Sequence, residues 1–299
     1  DMQPRRQREL LSRPLLRMSS AQAHNLAEEF AREGFVVLPR VLSKRALVHV
    51  RSAVQRLLRQ RHPSIAREWV LGMHQGNQSE PQHWLSALAL HPAIGMLMRA
   101  LLGGEQPVLI STQVFCKESV KESAGSHSEL NVEDVPWHQD GAAGSHSLAL
   151  WLALDDIAAD GSNGGLQVLP RLHVRGRLPT ESSERACATT FDALRTVDIA
   201  QHLGTAISYD LRAGCAAVHG PHTPHRSAAN TSSAPRRVLV LRYVALRALA
   251  DQREPVWIYA RSLEDEKRVD MAHARAESRH QIRSWNTAEL IDRRAYLLD

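Results

Sequence analysis

The sequence predicts an α+β fold, a mainly β domain with helices packed on one face, and two observations support this prediction. Between residues 105 and 247, short β-prone runs alternate with Gly, Pro, Ser and Asn, which is typical of an antiparallel sandwich or barrel. Residues 19–104 instead show helical periodicity, and such helices would cover one face of the sheet. At 299 residues and 43% hydrophobic, the chain can form one domain over 19–299, with a C-terminal extension at 248–299.

The first elements lie in a basic N-terminal region. Residues 1–18 are rich in Arg and poor in acidic residues, which favours a flexible arm or the remnant of a transit peptide. Ser20 can cap a helix over residues 21–32, because a serine hydroxyl accepts a backbone N–H at a helix start. Gly34 ends that helix, and Phe35–Leu38 is predicted as a short strand.

Three further helices are predicted before residue 104. Ser43 begins the first of them, in which the apolar residues form one stripe and the arginines lie elsewhere. The other two span residues 82–89 and 92–102. The β-prone runs that follow cover residues 108–115, 135–140, 148–154, 165–169, 205–209, 215–218 and 238–244.

The net charge of +5 is unevenly distributed along the chain. Residues 1–61 carry thirteen Lys/Arg and five Asp/Glu, a balance of +8, whereas the other 238 residues carry twenty-four and twenty-seven, a balance of −3. No groove-reading motif accompanies the basic segment, so we expect no nucleic-acid partner. We expect the protein to be a monomer.

Cysteine usage and hydropathy indicate the compartment and the kind of metal site. Three cysteines without a CxxC pair can form neither a closed thiolate zinc site nor a disulfide framework, which favours an intracellular protein. No run approaches the roughly 18 apolar residues of a membrane helix, so no membrane partner is expected. The cytoplasm is the expected location, and the basic arm leaves an organelle as the alternative.

Candidate metal ligands begin with His138 and Asp140 in the motif WHQDG. Side chains at positions i and i+2 of a strand project to the same face, so both can reach one ion. His219, His222 and His225 follow downstream as candidates for a third ligand. Two imidazoles and one carboxylate would form a facial triad, which leaves open positions on a non-haem Fe(II) ion.

Three motifs follow one another in the β-rich half of the chain. They are WHQDG at residues 137–141, NGGLQVLP at 163–170 and HRSAANTS at 225–232, with a pair of arginines shortly after the last. In this order the motifs resemble the phytanoyl-CoA dioxygenase family of Fe(II)/2-oxoglutarate-dependent oxygenases, over about residues 21–244. The resemblance implies a core that is a double-stranded β-helix, the jelly-roll fold of the cupins.

The resemblance also implies the metal ligands. His138, Asp140 and His225 would hold Fe(II), and His225 is chosen over the other two downstream histidines because it begins the H-x-S-x-x-N-x-S motif. Arg236 would bind the distal carboxylate of 2-oxoglutarate, since a planar guanidinium binds a carboxylate through two hydrogen bonds. Arg237 is the alternative, because adjacent residues of a strand face opposite sides.

Other residues are expected around the cosubstrate and the substrate. Ser227 matches a family serine that donates to 2-oxoglutarate, Trp151 matches an aromatic wall of the site, and Gln113 is expected to face the cosubstrate. Loops and strands around the mouth of such a fold usually line the substrate pocket. The residues expected there are Lys117, Trp137, His146, His173 and His222.

The implied reaction is the hydroxylation of a C–H bond of a small organic molecule or an acyl-CoA. It would consume O2 and 2-oxoglutarate and release succinate and CO2, with ascorbate as the reductant in vitro. Asp140 argues against a halogenase, in which a small residue at this position leaves room for chloride. Two alternatives stay open: a cupin-type metal enzyme that does not use 2-oxoglutarate, and a non-catalytic β-helix protein that binds a ligand.

Overall fold

Helices dominate the first hundred residues. The computed structural model describes residues 18–60, 70–71, 83–119, 134–140, 146–181, 193–250, 256–258 and 283–285. Its first elements are helix α1 at Ser20–Glu33, strand β1 at Phe35–Leu38, helix α2 at Lys44–Gln60, strand β2 at Val70–Leu71, helix α3 at His83–Ala89 and helix α4 at Pro92–Leu101.

Strands dominate the rest of the described chain. They are β3 at Pro107–Lys117, β4 at Val135–His138, β5 at Ser147–Ala153, β6 at Leu166–Val168, β7 at Thr180–Glu181, β8 at Ala193–Leu194, β9 at Ile207–Ser208, β10 at Ala216–His219, β11 at His225–Ser227, β12 at Arg236–Ala245, β13 at Val256–Ile258 and β14 at Arg283–Trp285. Two short helices, α5 at Thr196–Ile199 and α6 at Leu246–Ala250, and two 3-10 turns, Leu172–Arg175 and Ala200–Thr205, lie between strands.

Two antiparallel sheets form the core of the β-rich half. The larger has six strands in the order β1-β10-β5-β12-β3-β2, and the smaller has four in the order β4-β11-β6-β9. Two further two-stranded sheets join β7 to β8 and β13 to β14. The predicted α+β class with antiparallel sheets is confirmed by this architecture.

The two faces of the six-stranded sheet bury different partners. Its helix-side face carries Leu150, Leu239 and Leu241, which pack in one apolar cluster with residues of α2, α3 and α4. Its inner face carries Trp151 and Val240, which pack in a second cluster. That second cluster includes apolar residues of β6 from the smaller sheet, so the two sheets pack against each other through the inner face. Residues alternate between the two faces because the side-chain period of a strand is two.

The first helix starts one residue earlier than its sequence predicts. Ser19, not Ser20, is the N-cap: its hydroxyl accepts from the backbone N–H of Gln22, and the Gln22 side chain accepts from the N–H of Ser19. This reciprocal pair is a capping box, which an N-cap at Ser20 could not form with Gln22. Gly34 ends the helix with φ of 85°, and a Cβ there would lie 2.5 Å from Nδ1 of His173.

The strand predictions are confirmed for the long runs and less accurate for the short ones. Strand β4 ends at His138, so Asp140 lies beyond the strand and not within it. In the predicted run 205–209 only Ile207–Ser208 is strand, because the chain before it forms a 3-10 turn. Strand β11 was absent from the predicted runs, since its three residues are too few to show an alternating pattern.

Several expectations fall on parts of the chain that lie outside the described residues. These include the N-terminal arm up to residue 17 and most of the C-terminal extension at 248–299. None of the helices in the described part of the chain has the length and apolar character needed to cross a bilayer.

Candidate metal centre

Two neighbouring strands of the smaller sheet bring two histidines together. His138 on β4 is paired directly with His225 on β11, and their ring centroids are 4.1 Å apart. Asp140 lies two residues after His138, where the chain leaves the strand. Ligand atoms of these three residues all lie within 4.8 Å of one another, so the group could hold a metal ion.

Backbone carbonyls orient both imidazole rings. Nδ1 of His138 donates to the carbonyl of Pro136 at 2.8 Å, and Nδ1 of His225 donates to the carbonyl of Thr223 at 2.9 Å. Each ring is therefore held in the tautomer that leaves Nε2 free of a proton. Metal-ligating histidines usually use their second nitrogen in this way, so the arrangement fits a metal ligand pair.

Burial and local charge set the protonation states at the centre. Burial lowers the pKa of His138, and it lowers the pKa of His225 further together with the nearby His138 and His219 rings. Burial alone would raise the pKa of Asp140, but the Arg242 guanidinium and the neighbouring histidines hold it well below its usual range. Neutral imidazoles beside a charged carboxylate are the protonation states that a metal ion requires.

Two more polar side chains contact the carboxylate from the six-stranded sheet. Arg242 of β12 donates from Nη1 to Oδ2 of Asp140. His219 of β10 is buried, and its Nε2 lies 3.6 Å from the same oxygen. The other oxygen, Oδ1, lies 3.9 Å from Nε2 of His225. The two oxygens of Asp140 therefore have different neighbours.

The donor set of the three residues decides which metals suit the site. Nitrogen and oxygen donors without thiolate favour iron, manganese or zinc over the softer metals. Two histidines and one carboxylate grouped on one side of a site leave its other positions open, as in non-haem Fe(II) oxygenases. The residues present therefore fit an Fe(II) ion whose remaining positions take small molecules.

Arg236 and Arg237, the two candidates for binding 2-oxoglutarate, are adjacent on strand β12 and project to opposite faces of the sheet. Arg236 is buried on the inner face, with its guanidinium carbon 5.6 Å from the centroid of the Trp151 ring, and its Nη2 donates to the carbonyl of Gly164 at 2.7 Å. Arg237 projects to the opposite face, where it forms a two-bonded ion pair with Asp155. The structure therefore places Arg236, and not Arg237, on the inner face.

The other residues predicted to contact the cosubstrate also face inward. Gln113 on β3 is buried and lies opposite Val240 in the register of the sheet. Ser227 on β11 is buried and shares the inward side of its strand with His225. Together with Trp151, they extend the polar and aromatic lining of the interior away from the metal group.

Lys117, predicted for the substrate pocket, is buried at the end of β3. Its ammonium donates to the backbone carbonyl of Ser227 at 2.9 Å and to that of Ala228 at 2.5 Å. It lies directly opposite Arg236 in the sheet. These bonds join β3 to the chain that follows His225, which is a structural role for this lysine.

The structure does not bring Trp137 to the metal group. Adjacent strand residues face opposite sides, so Trp137 projects away from the side that carries His138. Its ring lies 5.2 Å from the guanidinium carbon of Arg226, beside a cavity of about 390 Å³ that Ile199 also lines. Trp137, predicted for the substrate pocket, therefore lines this cavity on the side of β4 opposite His138, and its contact with a substrate stays a prediction.

The three predicted histidines of the pocket lie in different surroundings. His173 lies against α1, where its Nε2 contacts the carbonyl of Ala31 at 3.1 Å. His146 is exposed just before β5. His222 is half-buried, and burial together with Arg177 lowers its pKa.

Gln139, between the two metal-ligand candidates, ties two loops to the metal strand. Its Nε2 donates to the carbonyls of Gly176 at 2.9 Å and His222 at 2.7 Å, and its Oε1 accepts from the N–H of Leu178 at 2.8 Å. All three bonds use backbone groups of the loops. The amide therefore connects the metal strand to chain segments near residues 176 and 222.

Sequence reasoning did not single out Arg242 or Tyr209. Arg242 follows Arg236 by six residues, so the two-residue period of a strand could have placed it on the same face. Tyr209 is fully buried in the inner cluster, and its hydroxyl has no hydrogen-bond partner among the described residues. The Tyr209 ring lies beside the Trp151 ring, with centroids 6.0 Å apart. No pattern in the sequence predicts this contact.

Comparison with known proteins places these features in a family. Residues 30–238 match the phytanoyl-CoA dioxygenase (PhyH) family. No curated protein matches the chain. Three similar solved structures are the epimerase SnoN in complex with Fe3+, alpha ketoglutarate and nogalamycin RO, the alpha ketoglutarate dependent carbocyclase SnoK from nogalamycin biosynthesis, and EvdO2 from Micromonospora carbonacea var. aurantiaca.

The structural similarity covers most of each chain. SnoN is 22% identical with a TM-score of 0.61, over 76% of this chain and 85% of its own. SnoK is 21% identical with a TM-score of 0.57, over 80% and 94% respectively. EvdO2 is 25% identical with a TM-score of 0.57, over 74% and 90%. At these identities the likeness shows a shared fold.

Proposed function

Because the chain belongs to the phytanoyl-CoA dioxygenase family, we propose that it is a non-haem Fe(II)- and 2-oxoglutarate-dependent dioxygenase. One observation carries the proposal: His138, Asp140 and His225 converge with their ligand atoms within 4.8 Å. Both rings donate from Nδ1 to backbone carbonyls, which leaves each Nε2 unprotonated and able to bind a metal ion. In this proposal the two packed sheets form a double-stranded β-helix.

The proposed reaction is the hydroxylation of a C–H bond in a small organic molecule or an acyl-CoA. When bound, Fe(II) with 2-oxoglutarate and O2 supplies the oxidising power, and succinate and CO2 are released. Asp140 supports oxygen transfer over halogenation, because its carboxylate occupies the position that a halide would need. SnoN is described as an epimerase and SnoK as a carbocyclase, so one fold supports several outcomes.

The chain's own residues bind and orient the cosubstrate in this proposal. Arg236 binds the distal carboxylate of 2-oxoglutarate, because a guanidinium keeps its charge when buried and offers two parallel donors. The Trp151 ring covers that guanidinium on one side. Ser227 offers a hydroxyl on the same inner side, and the buried surroundings exclude water and strengthen each of these polar contacts.

Arg236→Ala tests the proposal by calorimetric titration of 2-oxoglutarate into protein loaded with Mn(II). We expect the wild type to bind and the variant to bind about 100-fold more weakly, since charged hydrogen bonds each contribute roughly 1.5–3 kcal/mol. Arg237→Ala is the matched control, because it removes the neighbouring arginine that projects to the other face. An equal loss of affinity for 2-oxoglutarate in both variants would contradict the role of Arg236.

Turnover supplies the second part of the test. Purified protein with Fe(II), ascorbate and 2-oxoglutarate should release succinate in the presence of a suitable substrate. No succinate across a broad panel of small molecules and acyl-CoAs would contradict the proposed activity. Metal binding without 2-oxoglutarate binding would favour the cupin-type alternative, and failure to take up iron during anaerobic reconstitution would favour a non-catalytic protein.

A further inference from the structure

The contact between Arg242 and Asp140 gives the metal centre a feature beyond its three ligands. We propose that Arg242 is a positioning residue: it holds Oδ2 of Asp140 and so leaves Oδ1 as the single oxygen offered to the ion. This inference rests on the proposed function, because it concerns how the carboxylate meets the metal.

Sheet register brings Arg242 to this place. It is the fourth inward-facing residue of β12, after Arg236, Val238 and Val240, and Ala149 of β5 lies beside it. Asp140 lies two residues beyond the end of β4, which is a strand of the other sheet. The ion pair between Nη1 and Oδ2 therefore bridges the two sheets at the level of the metal group.

The two oxygens of Asp140 differ in what they face. Oδ2 accepts from Arg242 and lies 3.6 Å from Nε2 of His219. Oδ1 lies 3.9 Å from Nε2 of His225, one of the nitrogens free to bind an ion. With Oδ2 engaged by a guanidinium, a metal ion at the three-residue group meets Oδ1.

The number of carboxylate oxygens that bind the ion decides how many of its coordination positions stay open. A facial triad with one oxygen donor leaves three positions open, which a two-point cosubstrate and O2 can fill. If both oxygens of Asp140 bound, one of those positions would be lost. Arg242 prevents this by occupying Oδ2, so it protects the open positions without touching the ion.

A simpler role for Arg242 would be a counter-charge for a buried carboxylate. The two roles predict opposite changes in metal affinity. If Arg242 only neutralises charge, removing it takes a cation away from the site and a divalent ion binds more tightly. If Arg242 positions the ligand, removing it weakens metal binding by about 10–100-fold, the usual loss when a partner of a metal ligand is removed.

The test titrates Co(II) into metal-free protein by calorimetry. We expect Arg242→Met to bind Co(II) about 10–100-fold more weakly than the wild type. Arg242→Lys keeps a charged donor and should recover most of the affinity. Arg212→Met is the control, because it breaks an exposed arginine–aspartate pair, with Asp156, at the surface. That control should bind Co(II) as the wild type does.

The ligand-field absorption of bound Co(II) supplies a readout that a structural role would not move. We expect the spectrum of Arg242→Met to differ from that of the wild type, and the spectrum of Arg242→Lys to resemble it. Thermal unfolding of each metal-free variant checks that it is folded. If Arg242→Met does not fold, Co(II) binding by Arg242→Lys still tests the positioning role.

The possible outcomes separate this inference from the proposed function. Equal or tighter Co(II) binding by Arg242→Met, with an unchanged spectrum, overturns the positioning role and leaves the proposed dioxygenase untouched. A lysine variant as impaired as the methionine variant also overturns it. A wild type that binds no Co(II) overturns the proposed metal centre itself, and the inference with it.

Discussion

Strand β12 carries two arginine–aspartate pairs, one on each face, and they are built differently. On the helix side, Arg237 donates to both oxygens of Asp155 at 2.8 Å each and to Gln55 at 3.0 Å. On the inner side, Arg242 donates to one oxygen of Asp140, whose other oxygen faces His225. The outer pair uses both oxygens of its carboxylate, and the inner pair leaves one available.

This difference teaches how to distinguish a structural ion pair from part of a site. Residue types are the same, and both pairs are at least partly buried. They differ at the second carboxylate oxygen, because that of Asp155 is bonded to the guanidinium and that of Asp140 faces His225. A carboxylate oxygen that faces an unprotonated imidazole nitrogen in a buried interior indicates a metal ligand, whereas a carboxylate with both oxygens bonded by a guanidinium indicates a structural ion pair.

The largest expected effect is on the inner side, with His225→Ala. Losing one of two imidazoles should abolish detectable Mn(II) binding, because the remaining donors form an incomplete triad. The measurement is thermal unfolding with and without Mn(II): bound metal stabilises the folded wild type, by about 2.7 kcal/mol at 100 times the Kd. His24→Ala, at an exposed histidine of α1, is the control, and Mn(II) should raise its unfolding temperature as much as that of the wild type. A metal-induced shift that survives in His225→Ala would contradict the assignment.

On the helix side, Leu241→Ala is expected to lower the stability of the fold and to leave metal binding unchanged. Leu241 is fully buried against the helices, so its truncation should lower the free energy of unfolding by about 2–5 kcal/mol. Its side chain faces away from the metal group, and the Kd for Mn(II) should stay within twofold. Urea unfolding and calorimetry measure the two quantities. If Leu241→Ala kept its stability and lost metal binding, the assignment of stability to the helix-side face and of metal binding to the inner face would be wrong.

The smallest effect on stability is expected at the ion pair between Glu33 and Arg171, which belongs to neither face of the six-stranded sheet. Hydrogen bonds from Arg171 and Arg32 lower the pKa of Glu33 to about 2. A lowered pKa means that the pairing stabilises the fold above the ordinary value of 4.5 and is lost as pH falls toward 2. Because Arg171 is mostly exposed, Glu33→Gln should cost less than about 1 kcal/mol at neutral pH.

Urea unfolding of Glu33→Gln and wild type at neutral pH and near pH 2 measures this effect. The difference in free energy between the two proteins should shrink at the acidic end. A difference that grows with acid would show that the pairing with Arg171 is not its source.

The sequence predicts the elements well where a local signal is strong. Ser43 accepts from the backbone N–H of Ala46 and begins α2 as expected, and Gly34 ends α1. The N-cap at Ser19 was missed because two adjacent serines offer the same hydroxyl, and the choice depends on which one can pair with Gln22. Strand β11 was missed because three residues show no periodicity.

Parts of the candidate site depend on contacts between sheets, which no local pattern contains. The order of motifs pointed to the three metal-ligand candidates, and the two-residue strand period could have shown that Trp137 faces away from His138. The contact of Arg242 with Asp140 joins residues 102 positions apart, one in the six-stranded sheet and one just beyond a strand of the other sheet. Such a contact depends on register and sheet packing, which a single sequence leaves open.

The three hydrogen bonds of Gln139 bear on which changes the loops near residues 176 and 222 can accept. Its amide meets two carbonyls and one N–H, all from the backbone of loops near the metal strand. Side chains on those loops can change without disturbing these bonds, whereas insertions or deletions would move the backbone groups away. Side-chain substitutions between residues 176 and 178 and at residue 222 should therefore be tolerated better than changes in the length of these loops.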